Sequence, residues 1–76
     1  MPCTRPIDDT HSVTISSDRR HGGGWESTGD IFLTANCRDI GVTVRGEGRT
    51  LPSSETRAFA AARRWSMNRP RRRPQG

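Results

Sequence analysis

The sequence contains no lysine and no tyrosine, and it holds only two cysteines, two phenylalanines and two tryptophans in 76 residues. Each shortage excludes something. No apolar run approaches the roughly 18–20 residues that a membrane-spanning helix needs. The length leaves room for one domain, not for a dinucleotide-binding unit, a (β/α)8 barrel or a multidomain enzyme. Two cysteines permit one disulfide, but no apolar leader-like run follows Met1. Cys3 and Cys37 are therefore expected as thiols in a reducing, cytoplasmic setting. Leu, Ile, Val and Phe together supply only eleven residues, a share low enough to suggest disorder over part of the chain.

Position modifies that expectation. Six of the eleven (Ile31, Phe32, Leu33, Ile40, Val42 and Val44) fall between residues 31 and 44. The centre can therefore fold while the ends are expected not to. Residues 1–12, with two prolines and one isolated Ile7, show no period and read as a flexible arm. Val13-Thr14-Ile15-Ser16 alternates as a short strand. Gly22-Gly23-Gly24 marks a loop, and Gly29-Asp30 suggests a bend or bulge. The runs 31–35 and 40–45 alternate on either side of Asn36-Cys37-Arg38-Asp39, which predicts a hairpin. Gly46-Glu47-Gly48 is expected to end its second strand. Ser53 is then the expected N-cap of a helix over about 54–67, stopped by Pro70.

At about 100° per residue, Ala58, Ala61, Ala62 and Trp65 form one stripe with Phe59 at its margin, so this is the expected buried face. Residues 69–76 carry four arginines, two prolines and no apolar side chain, the composition of a disordered tail. The expected architecture is thus α+β: a small three-stranded antiparallel sheet packed on one C-terminal helix (βββα), with disordered ends and a single domain over 13–68. Val13, Ile15, Leu33, Val42 and Val44 are expected under the helix. Thr14, Phe32, Thr34, Thr43 and Arg45 are expected on the opposite face. This element order over residues 13–67 is similar in outline to the sheet-and-helix DNA-binding domains of some plant transcription factors and to integrase arm-binding domains. The resemblance implies a sheet laid in the major groove, where this chain offers Arg45 and, in the connecting turn, Arg38.

All thirteen basic side chains are arginine and the formal net charge is +5. Arginine in place of lysine beside many Ala and Gly is what GC-rich coding produces. It is also the residue whose fork matches phosphate. The charge is uneven: residues 1–56 hold six arginines and all eight acids, and residues 57–76 hold seven arginines and no acid. An acid-free cationic block points to nucleic acid or another anionic partner.

Candidate chemistry is sparse. Cys3-x7-His11-x9-His21-x15-Cys37 lacks the close ligand pair of structural zinc sites. His21-Gly22-Gly23-Gly24 matches an esterase oxyanion-loop string in letters alone. A thiol set of Cys37, His21 and Asp39 has no arguable pocket, and Asp8-Asp9 reads as solvated charge. No enzyme, metal or cofactor is expected. The expected function is a small binding protein that contacts nucleic acid or a nucleoprotein complex through Arg57, Arg63, Arg64, Arg69, Arg71, Arg72 and Arg73. Arg38, Arg45, Trp25 and Phe32 are further contact candidates. The alternative is an inhibitor or adaptor of the phage or mobile-element type, blocking a host machine through the sheet face and Trp25. Self-pairing through an open strand edge into a homodimer is a third expectation.

Overall fold

A computed structural model describes residues 3–68. Four strands precede one helix: β1 (Cys3–Pro6), β2 (His11–Arg19), β3 (Trp25–Leu33), β4 (Arg38–Gly48) and α1 (Leu51–Asn68). The strands form one antiparallel meander in the order β1-β2-β3-β4, and α1 crosses β4, β3 and β2 on one face. The α+β class and the C-terminal helix follow the sequence expectation, but the sheet has four strands rather than three.

The additional strand lies in the segment expected as an arm. Cys3-Thr4-Arg5-Pro6 has no apolar alternation, and it pairs in register with Ile15, Thr14, Val13 and Ser12. Backbone pairing to the open edge of β2 creates this strand, and composition alone cannot register such an effect. Pro6 lacks an N–H and suits an outermost strand. The return to β2 is fixed by Asp8, whose Oδ1 accepts the N–H groups of Thr10 at 2.8 Å and His11 at 2.7 Å. That is an Asx turn, in which a short carboxylate satisfies backbone donors two and three residues on.

Val13, Ile15 and Ile31 are fully buried against Ala58 and Ala62 of α1, with Ile40, Val42, Val44, Phe59 and Trp65 packed around them. Each buried aliphatic side chain contributes about 1.5–3 kcal/mol by leaving water. The helix stripe is as the periodicity predicts. Leu33 lies at the end of β3 and is only half-buried, and Ile31 takes the central place expected of it.

β4 does not end at Gly46. The strand continues through Gly48, and these two glycines form the surface on which α1 rests. A Cβ at Gly46 would overlap the Ala58 nitrogen and lie 2.6 Å from the Ser54 carbonyl oxygen. A Cβ at Gly48 would overlap the Ser53 hydroxyl. Glycine here serves close approach of helix backbone to strand, which outweighs its poor strand propensity. The irregularity expected at Gly29-Asp30 lies elsewhere: the β3–β4 register shifts between Ile31 and Phe32, opposite Gly41, which has φ 77°.

The helix starts earlier than the expected Ser53 cap. Thr50 is the N-cap: its Oγ1 accepts the Ser53 N–H at 3.2 Å, and Ser53 Oγ accepts the Thr50 N–H at 3.3 Å. This reciprocal pair is a capping box with serine in the position usually held by Glu or Gln. One turn on, Ser54 Oγ bonds Ser27 Oγ at 2.8 Å, and Ser27 Oγ bonds Ser17 Oγ at 2.6 Å. This hydroxyl chain sits beside the glycine contact, and it leaves its buried oxygens satisfied.

Candidate nucleic-acid interface

Pleating and helical period together separate the charges. Along α1 the exposed positions are Pro52, Thr56, Arg57, Ala60, Arg63, Arg64, Met67 and Asn68. On a wheel of about 100° per residue these fall on one arc centred near Ala60. The arc carries three guanidinium groups and no carboxylate, since the helix's one acid, Glu55, is half-buried away from it. Arg57 and Arg64 are seven residues apart, hence about 10 Å along the axis. Arg57 Nη1 donates to the Glu47 carbonyl oxygen at 3.1 Å. Among the described residues none of the three arginines is in an ion pair. Arg69, Arg71, Arg72 and Arg73 lie outside the described residues.

The opposite side of the sheet has the reverse charge. Register aligns Asp18, Glu26 and Glu47 as direct cross-strand neighbours. Like charges in that relation repel, so the row persists only because the face is solvated and partly compensated. Arg45 approaches Glu26 at 3.6 Å, and Arg20 donates to Glu47 at 2.9 Å. Further along, Asp30 accepts from Thr43 at 3.2 Å, and Asp39 pairs in register with Phe32. Thr4, Ser12, Thr14, Ser16 and Thr28 fill the remaining positions by alternation. Five carboxylates thus share this face with Arg45.

The predicted contact residues therefore divide into groups. Arg57, Arg63 and Arg64 are together on the outer face of α1. Arg45 and Phe32 are on the far, acidic face, and Arg38 opens β4 as an exposed residue. Phe32 borders a shallow depression of about 440 Å3 with Thr14, Asp30, Cys37 and Asp39. Trp25 starts β3 half-buried, with the Arg19 guanidinium 5.7 Å from its ring centre. Arg5 caps the Phe59 ring in the same manner at 5.5 Å. Both are cation–π contacts, which hold the arginine while leaving its N–H edge free for another acceptor.

The thiol set is dispersed. His21 lies in the β2–β3 loop and Cys37 in the β3–β4 turn, at opposite ends of a nine-residue strand. At about 3.3 Å per residue these are some 30 Å apart. Cys3 and Cys37 are free thiols. Among the described residues no three His, Cys, Asp or Glu side chains cluster as metal ligands would.

One constellation was not legible as such. Asp8, which reads as solvated charge, accepts Ser66 Oγ from the last turn of α1 at 2.5 Å and Thr10 Oγ1 at 3.1 Å, besides the two backbone bonds. Its carboxyl also meets the His11 Nδ1 at 3.2 Å, and the buried His11 ring stands edge-on to Trp65 at 5.3 Å. Burial by itself raises the pKa of Asp8. The hydrogen bonds from Ser66, the Thr10 and His11 amides and the Thr10 hydroxyl outweigh it, and hold the carboxyl well below the usual carboxylate range. Serine, aspartate and histidine meet here in the wrong order for nucleophile activation, because Ser66 gives its proton to the carboxylate and not to imidazole. The cluster fastens the β1–β2 turn to the end of α1. The faint signal was Asp8-x-Thr10-His11, an Asx-turn pattern ahead of a strand.

No helix of the described residues is long and apolar enough to cross a membrane. No family model matches the chain, and no curated protein or solved structure matches it.

Proposed function

We propose that the chain is a small non-enzymatic binding protein that lays the outer face of α1 along the phosphate backbone of a nucleic acid. One observation carries the reading: Arg57, Arg63 and Arg64 share an acid-free helix face, while the far side of the sheet holds five carboxylates. A molecule so polarised turns its helix towards a polyanion and its sheet away from it. The sheet-in-groove arrangement of the resembling DNA-binding domains gains no support, because Arg45 is outnumbered on that face. Small apolar contact area at the helix face favours backbone contact with little base selection. Arg69 and Arg71 to Arg73 follow directly in sequence and extend the cationic block.

The test is oligonucleotide binding as a function of salt. For a duplex, log K falls with log salt at a slope of about 0.9 per phosphate contacted, and for a single strand about 0.7. The triple variant R57A/R63A/R64A is expected to flatten the slope by about two to three units, and removal of residues 69–76 by several more. Affinity insensitive to salt, or unchanged in the triple variant, refutes the proposal. The acidic face with Phe32 supports a second reading, docking of a basic protein segment as an inhibitor or adaptor. Recovery of a protein partner that survives nuclease treatment and is lost in Phe32→Ala selects it instead.

A further inference from the structure

A second cationic feature of the described residues is a cleft at the edge of the helix arc. It opens between the β2–β3 loop, the end of β4 and the start of α1, encloses about 830 Å3, and is bordered by Arg20, Arg49 and Arg57 with Glu47. Two of the three guanidinium groups are held in place. Arg20 is tied to the Glu47 carboxylate at 2.9 Å and Arg57 to the Glu47 carbonyl at 3.1 Å. Arg49 has no hydrogen-bond or ion-pair partner among the described residues. The wall itself is fixed. Gly24 accepts the Arg20 N–H at 2.9 Å, and a Cβ on Gly24 would sit 3.0 Å from the Gly48 carbonyl oxygen, so loop and strand end are in contact.

The charge of this cleft is not a helix-end effect. Two of the amides at the helix start are already used, with Ser53 N–H on Thr50 Oγ1 and Ser54 N–H on the Thr50 carbonyl. The guanidinium groups supply it: three of them border a cleft that holds one carboxylate, and that carboxylate pairs with Arg20. Folding gains nothing from the surplus, since like charges around a common space repel. A fork-shaped donor such as guanidinium finds its complement in the tetrahedral oxygens of phosphate.

We infer that this cleft is a binding site for a phosphate group, with Arg49 and Arg57 contacting its oxygens and Arg20 joining them from its position on Glu47. The group can come from a free polyphosphate or from a nucleic-acid strand, and both present the same oxygens. The site shares Arg57 with the helix face but needs neither Arg63 nor Arg64, so it stands or falls separately from the proposed function.

The experiment is amide chemical-shift mapping of the full chain at constant ionic strength, first with pyrophosphate and then with a short oligonucleotide. Saturable shifts are expected at Gly23, Gly24, Gly48 and Arg49. Arg49→Ala, an exposed position whose loss leaves the fold intact, is expected to weaken them about tenfold, and R63A/R64A to leave pyrophosphate binding unchanged. Shifts with pyrophosphate identify a free-anion site. Shifts at these amides with the oligonucleotide alone identify a strand phosphate. The inference is overturned if neither probe moves these amides at millimolar concentration. It is equally overturned if Arg49→Ala and R63A/R64A weaken binding alike, which would mean diffuse screening.

Discussion

Gly46→Ala isolates the contact on which the fold turns. No positive φ is required at this position, so an ordinary β-strand conformation accommodates alanine. In such a case replacing glycine stabilises a protein by about 0.4–1 kcal/mol through the unfolded chain. Here the added carbon would overlap the Ala58 nitrogen and stand 2.6 Å from both the Arg57 carbonyl carbon and the Ser54 oxygen. All three are helix backbone, which cannot swing aside as a side chain does. Either α1 lifts from β4 or the strand recedes, and both loosen the packing of Ala58 and Ala62 on Val13, Ile15 and Ile31. Overpacking of this kind costs about 1–3 kcal/mol, with rigid backbone placing it at the upper end. The net expectation is a loss of about 2 kcal/mol, a fall in Tm of about 8–16 °C for a domain this small. Thermal unfolding followed by circular dichroism measures it. Because the obstruction is main chain, truncating Ala58 to glycine in the same protein should not restore stability. A Tm equal to or above that of the parent, or rescue by Ala58→Gly, would refute the reasoning.

Other consequences follow from single hydrogen-bonded groups. Ser54→Ala leaves Ser27 with one partner in a fully buried place and should cost about 1–2 kcal/mol in urea unfolding. Adding Ser27→Ala should cost less than the sum of the two single changes. Thr50→Ala removes the helix cap and should destabilise by about 1 kcal/mol, whereas Ser53→Ala, at the expected cap, should cost less. Asp8 has its folded-state pKa lowered, so its contribution is complete above the unfolded value of about 4 and fades as pH falls below it. Asp8→Asn should therefore be less stable than the parent at pH 7, and the gap between their urea midpoints should narrow towards pH 2. A gap independent of pH would show that the carboxylate's charge plays no part.

Some of the molecule was readable in advance because its cause is local. Ile40, Val42 and Val44 alternate, and α1 has a 3.6-residue apolar period, and these patterns named the strand and the buried helix face. β1 was not readable, since Thr4 and Arg5 have no preference that marks a strand and acquire one from the backbone edge of β2. Gly46 and Gly48 pointed the wrong way for a related reason. Local propensity counts glycine as a strand end, and only the presence of α1 above them turns the missing side chain into a contact. The N-cap moved from Ser53 to Thr50 because both hydroxyls bond each other's amides, and either residue alone satisfies the cap preference.

The candidate site shows the same division. The sequence by itself determined that seven arginines follow Thr56 without an acid among them, because charge is a property of the residue. Only the tertiary structure decided which arginines lie together. The pleat turned Asp18, Glu26, Asp30, Asp39 and Glu47 to one side with Arg45. The helix turned Arg57, Arg63 and Arg64 to the other. Chain reversal at Gly22-Gly23-Gly24 then brought Arg20 to Arg49 and Arg57 across the sheet end. Sidedness and long-range proximity depend on pairing register and packing, and these are set by contacts between residues far apart in the chain.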